Sequence, residues 1–235
     1  MSARLEELDF QSTPMGDLTL RRRHEPVLDV DVYEVKLGDE FLMSSLFTVA
    51  EQELARLGLA ELGGQEFDVA VGGLGLGYTA ATVLEDSRVR SLVVIDTLAG
   101  VIDWHERGLI PSGERLAADP RCTMVHADFF ALARASESGP PANRYHAVLV
   151  DIDHSPRHLL HPDHADLYES EGLRSLREHL HPGGVFALWS NDPPDAEFVA
   201  ALESGFHAVR AEVITFANPL QRREATATVY LATAH

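Results

Sequence analysis

Apolar and polar positions alternate in short runs from residue 5 to residue 37, separated by turn residues: LEELDF, TPMGD, LTLRRR, HEP, VLDVDVYEVKL and GDE succeed one another. A period of two puts successive side chains on opposite faces of a pleated strand. The stretch therefore predicts a small antiparallel β element, assigned to residues 1–44. The period then lengthens: over residues 45–60 (SLFTVAEQELARLGLA), Leu46, Val49, Ala50, Leu54 and Leu57 fall at helical spacing, and Gly63-Gly64 ends the segment. From residue 67 onward, apolar runs alternate with helical stretches, as buried parallel strands joined by crossover helices do. The predicted strands are FDVAV (67–71), SLVVI (91–95), CTMVH (122–126), HAVLV (146–150) and VFALWS (185–190), with two more near 206–216 and 225–233. Helices are expected to start near Tyr78, Leu98, Phe129, His164 and Asp195. Gly183-Gly184 turns the chain into the fifth strand, and Pro193-Pro194 opens the last helix. The final two strands read as an antiparallel hairpin at the sheet edge. The fold class is α/β: a doubly wound, mainly parallel seven-stranded sheet within residues 45–235, preceded by the small β element.

Composition narrows the function classes. A length of 235 residues suits one α/β domain plus an accessory element around one main core. No apolar run approaches the ~20 residues that cross a bilayer, and the N-terminal MSARLEELDF lacks a secretory apolar stretch, so a cytoplasmic protein without a membrane partner is expected. Cys122 is the single cysteine; it lies in an apparent strand and reads as a buried, inert thiol. Nineteen basic against 37 acidic side chains give a net charge of −18, which repels polyphosphate and argues against a nucleic-acid partner. RRRHE (21–25) is too short and isolated to reverse that, and reads as an exposed strand end. The acidic balance suits a cationic substrate such as an amine.

The candidate chemistry sits at strand ends. GGLGLG (72–77) directly follows a buried strand and precedes a helix, where Gly73, Gly75 and Gly77 allow a sharp turn and a close ligand approach. Asp96 ends the next strand about 20 residues after the last glycine, a spacing suited to a carboxylate that accepts from ribose hydroxyls. Asp128 ends the third strand and Asp151 the fourth. In an open α/β sheet these carboxyl ends face one crevice, so a nucleotide or nucleoside site is expected there. The bland alternative for each Asp, Asp128 above all, is a helix N-cap. Asp153 reads as either a second carboxylate for an amine or a turn former.

The order of elements, together with VGGLGLGYTA, VVID, ADFFAL, YHAVLVDIDHSP and LREHLHPGGVFALWS, resembles the spermidine synthase-like group of polyamine aminopropyltransferases, which share the Rossmann-like class I methyltransferase fold. The resemblance covers nearly the whole chain. It implies a transferase that uses decarboxylated S-adenosylmethionine as co-substrate, with no metal. Under it, Gly73, Gly75, Gly77 and Asp96 hold the nucleoside, Asp128 contacts the adenine, and Asp151 takes a proton from the attacking amine. Glu51, Asp153 and His154 would face the amine substrate. A homodimer is implied too, with the β element and first helix near the contact.

The departures are specific. The family's glycine turn usually carries an Asp for the aminopropyl amine, where this chain has Gly75; Val94 replaces an acidic residue; MSSLFTVAEQE leaves Glu51 as the plain acidic survivor of the amine-binding helix; and the family's DSSDP-like loop reads DIDHSP. The acid that ends the first strand in methyltransferases is also missing, Ala70 and Val71 standing there. Two alternatives stay open: a methyltransferase using S-adenosylmethionine itself, and a non-catalytic paralogue that binds an adenosyl ligand. His154, His158, His161 and His164, with His179 and His181 beyond, are interrupted by Pro156 and Pro162 and read as a solvated substrate loop rather than a metal site, with His154 a further candidate base. Trp104, Trp189 and Tyr78 read as core or pocket-wall aromatics.

Overall fold

The computed structural model describes residues 5–135 and 144–235. The N-terminal element is a four-stranded antiparallel meander, β1 (Leu5–Thr13), β2 (Gly16–Glu25), β3 (Val30–Leu37) and β4 (Glu40–Ser44), paired in that order. β4 is a strand the alternation pattern does not announce. Its hydrogen bonds to β3 pair Val35 with Met43, and that pairing sends the chain back toward the main sheet. α1 (Val49–Ala60) follows; residues 45–48 form its approach, so the helix starts later than its apolar spacing predicts.

The larger sheet contains β5 (Phe67–Gly72), β6 (Val89–Asp96), β7 (Cys122–His126), β8 (Tyr145–Val150), β9 (Leu180–Ser190), β10 (His207–Asn218) and β11 (Arg223–Thr233), in the order β10-β11-β9-β8-β5-β6-β7. β5 to β9 run parallel, while β11 is antiparallel to both β9 and β10. The chain winds outward from β5 through β6 to β7, then returns to β8 on the other side of β5. That reversal opens a crevice at the carboxyl ends of β5 and β8. The crossover helices are α2 (Tyr78–Val83), α3 (Ala99–Glu106), α4 (Gly113–Ala118), α5 (Phe129–Arg134), α6 (Ser170–Arg177) and α7 (Ala196–Glu203). Near His164 the chain makes a tight helical turn over Pro162–Tyr168 before α6, and α4 has too few apolar positions to be read from spacing. β9 starts earlier than its apolar run because Leu180 already pairs with Tyr145; the next paired residues, Ala147 and Val185, leave His181–Gly184 as a bulge, with Gly183 at φ +76. Among the described residues, no helix is long and apolar enough to cross a membrane.

Strand alternation divides the buried residues between two faces of the large sheet. Val69, Val71, Leu92, Leu149, Ala187 and Val229 pack on one face, and Ala70, Val148, Val150, Phe186, Leu188 and Tyr230 on the other. Leu18 and Leu20 of β2 and Val35 of β3 belong to the first cluster, so the small sheet shares a core with the large one. Trp104 of α3 is fully buried at that junction and donates its indole N–H to Asp9 at 2.6 Å. This contact fixes the small sheet over the crevice.

Candidate active site

The glycine turn is built by backbone geometry. Gly73, Gly75 and Gly77 have φ of +93, +46 and +83, a region that side chains with a Cβ rarely adopt. At Gly73 space forbids a side chain as well, since a Cβ would run into the Asp151 carbonyl. That close approach follows from register: the Asp151 amide donates to the Gly72 carbonyl at 2.8 Å, extending the β5–β8 ladder into the turn. His105, fully buried on α3, contacts the Gly75 carbonyl through Nε2 at 2.9 Å; burial holds its pKa down, so the neutral ring with Nε2 protonated is the donor. Nothing in the sequence pattern marks His105, because its role is a contact between α3 and a loop thirty positions away.

Asp96 ends β6 beneath this turn. Its two oxygens accept from the amides of Leu74 at 2.9 Å and Leu98 at 2.8 Å. Burial raises its pKa, and the amides of Leu98, Leu74 and Gly75 oppose that shift. The carboxylate therefore shapes the turn as well as facing the crevice. Asp128 is the N-cap of α5, accepting from Phe130 and Ala131 through Oδ1 at 2.9 and 3.1 Å; it is exposed and lines the cavity.

Asp151 and Glu51 meet at the start of α2. Glu51 is buried on α1, and Asp151 lies at the end of β8. The Thr79 hydroxyl donates to Asp151 Oδ2 at 2.7 Å and stands 3.3 Å from the Glu51 carbonyl. Burial, then the nearby Asp151 charge, pushes Glu51 up to about 8; burial pushes Asp151 up to about 6, against the Thr79 hydrogen bond. Two carboxyl groups this close, out of water, cannot both ionise cheaply. The two therefore titrate as a coupled pair, with Glu51 raised further by the Asp151 anion. Thr79 is missed by pattern reading, although a polar residue in the first turn of a buried helix is a detectable signal.

Other expected residues are placed differently. Asp153 points away from the crevice: its carboxylate accepts from the Leu160 amide at 2.7 Å and the Tyr168 hydroxyl at 2.7 Å and pairs with His164 at 2.9 Å. It locks the 152–168 segment and presents nothing to an amine, which corrects its expected substrate role. The reason is local: β8 ends at Val150, so strand alternation no longer sets the side-chain direction, and the turn carries Asp153 to Tyr168 beside the second core cluster. His154 reaches across to Glu40 on β4 at 3.0 Å and lines the cavity with it. His158 pairs with Asp192 at 2.8 Å, and His164 stacks on Phe130 with ring centroids 3.7 Å apart. The histidines are thus divided among separate partners, and no group able to hold a metal is found among the described residues. Cys122 is half-buried, and burial pushes its thiol up to about 11.

These groups surround one cavity of about 1410 Å³, roofed by β4 and floored by the ends of β5, β6 and β8. Gly73, Gly75, Asp96, Asp128, Asp151 and Glu51 line it together, and Gly77 sits behind the turn against His105 and Leu116. Ile95, Leu98 and Val101 supply apolar wall beside Asp96. The guanidinium groups at the rim are occupied: Arg23 by Glu25 and Glu34, Arg157 by Asp195 and Glu197, while Arg134 donates to the Asp163 carbonyl. The site therefore presents carboxylates, which suits a cation.

The strand order, the reversed last strand and the added N-terminal sheet define a class I methyltransferase fold of the spermidine synthase-like kind. A spermidine synthase in complex with the transition state analogue AdoDATO matches with a TM-score of 0.73 at 17% identity, over 97% of this chain and 73% of that one. The spermidine synthase from Thermotoga maritima matches with a TM-score of 0.71 at 16% identity, over 97% and 72%. A putative methyltransferase from Thermoplasma acidophilum matches with 0.52 at 16% identity, over 72% and 69%. No family model and no curated protein matches the sequence.

Proposed function

We propose that this chain is a transferase that moves an aminopropyl group from decarboxylated S-adenosylmethionine to an amine. The observation that carries the reading is the pair of carboxyl groups, Glu51 and Asp151, that line the cavity beside a glycine turn anchored on Asp96. Two features support an adenosyl group in the cavity: glycine replaces side chains along the turn, and Ile95, Leu98 and Val101 offer an apolar wall to a purine. Asp96 would accept from the ribose hydroxyls and Asp128 from the adenine amino group.

An ammonium has no lone pair, so the acceptor nitrogen must lose a proton as it attacks the carbon next to the sulfonium. Asp151 would take that proton; the carbon–sulfur bond breaks with its electrons going to sulfur, leaving a neutral thioether. Glu51, protonated, would orient the incoming amine without adding a second charge. His154, held by Glu40, would close the acceptor side. The printed fold similarity to spermidine synthases agrees with this reading. The exposed Leu5, Phe10, Val27 and Val30 on the N-terminal sheet support a homodimer through that face.

The test is release of methylthioadenosine from decarboxylated S-adenosylmethionine with a panel of diamines. Asp151→Asn should lower turnover by about 10²–10⁴-fold while nucleoside affinity stays within a few-fold. Turnover by the variant at the wild-type rate would refute the base assignment. Methyl transfer from S-adenosylmethionine, with no thioether nucleoside released, would place the chain with methyltransferases instead.

A further inference from the structure

In a strand-turn-helix site, ligand anions are held by backbone N–H groups of the turn, so the donors left over decide what charge a ligand can carry there. In this turn they are all engaged. The Gly73 amide donates to the Ile95 carbonyl at 2.9 Å, Leu74 to Asp96 Oδ2 at 2.9 Å and Gly77 to the Leu74 carbonyl at 2.7 Å. The Gly75 amide is turned toward the Asp96 carboxylate and stabilises its anion. The remaining one, Leu76, donates to the thioether sulfur of Met43 at 3.0 Å. Four partners belong to the large sheet or to the turn; Met43 alone comes from the small sheet.

Met43 also fills the space over the turn. A Cβ built on Gly75 would collide with its sulfur, so the bare backbone at Gly75 is matched to this side chain. A thioether is a weak acceptor on an unbranched, flexible chain, so it is the part of the turn that can leave. The neighbouring surroundings are hostile to anions: the first turn of α2 faces Asp151 and Glu51 through Thr79, and Arg23 and Arg157 at the rim are already paired with carboxylates.

We propose that Met43 is a specificity-determining residue, whose thioether occupies the Leu76 N–H and closes the glycine turn to nucleosides whose 5′ substituent ends in a carboxylate while admitting those without one. The inference rests on the adenosyl-site reading above and extends it to the charge of the nucleoside tail.

The test is calorimetric titration of the whole chain with methylthioadenosine, S-adenosylhomocysteine and decarboxylated S-adenosylhomocysteine, the last two differing by one carboxylate. Wild-type protein should bind the decarboxylated compound at least about tenfold more tightly than S-adenosylhomocysteine. Met43→Ala, which frees both the N–H and the space, should narrow that ratio to within about threefold and leave methylthioadenosine affinity unchanged. Met43→Leu, similar in volume but without the acceptor, keeps the space filled while freeing the N–H; it should give a ratio between those of wild type and Met43→Ala, and it serves as the control for folding. Equal affinity of the wild type for the two tailed compounds, or an unchanged ratio in a folded Met43→Ala, overturns the role of Met43. Failure of all three nucleosides to bind, methylthioadenosine included, instead overturns the adenosyl site itself.

Discussion

Two carboxyl groups sharing a poorly solvated corner titrate as a pair: burial raises both, the Thr79 hydroxyl stabilises the Asp151 anion, and that anion raises Glu51 further. A consequence follows for stability. Glu51 has its pKa raised in the fold, from 4.5 to about 8, so the folded state binds more protons than the unfolded chain between those values. Its contribution is fully present below 4.5 and is lost as pH rises through about 8. Glu51→Gln, which cannot ionise, should therefore melt progressively higher than wild type as pH is raised across that interval, as thermal unfolding followed by circular dichroism would show. The catalytic consequence has the opposite sign. Asp151 accepts a proton only as the anion, so initial rates of thioether release should climb as pH rises through about 6. Asp151 was legible from its place at a strand end. Its partner Glu51 was marked only through the family resemblance, since α1 also carries Gln52, Glu53 and Arg56; Thr79 showed only as a polar residue in a helix's first turn, and Met43 carried no signal of its own.

At the scale of elements, one residue serves two ends. Asp128 caps α5 through Oδ1, so truncating it removes a cap and any ligand contact together. Two substitutions separate the roles. Asp128→Ser keeps an N-cap oxygen and should hold stability close to wild type while weakening nucleoside binding. Asp128→Ala should in addition destabilise the protein by about 0.5–2 kcal/mol, read from chemical denaturation. If the Ser variant binds methylthioadenosine as tightly as wild type, Asp128 is a cap and nothing more. The strands of the large sheet were legible because burial on both faces writes them as continuous apolar runs. β4 and α4 were not, since each is short and held by pairing or packing with distant residues rather than by its own periodicity.

At the scale of the whole molecule, Leu18, Leu20 and Val35 of the small sheet are buried in the same cluster as Val69, Val71 and Leu92 of the large one. Secondary structure changes where β4 ends at Ser44, yet the core does not divide there. We expect a chain truncated to residues 45–235 to lose cooperative unfolding, because it would expose that cluster and leave Trp104 without Asp9; a sharp urea transition in the truncated chain would show two independent domains. The sequence by itself determined the strand order class, the glycine turn and the carboxylates at the strand ends, because hydrophobic period and turn chemistry are local properties of the chain. Only the tertiary structure decided which of those carboxylates face one cavity, that Asp153 turns into the core while Glu51 joins Asp151, and that a methionine from another sheet sits on the turn. Those facts depend on strand register and on contacts between residues far apart in the chain, and no local pattern encodes them.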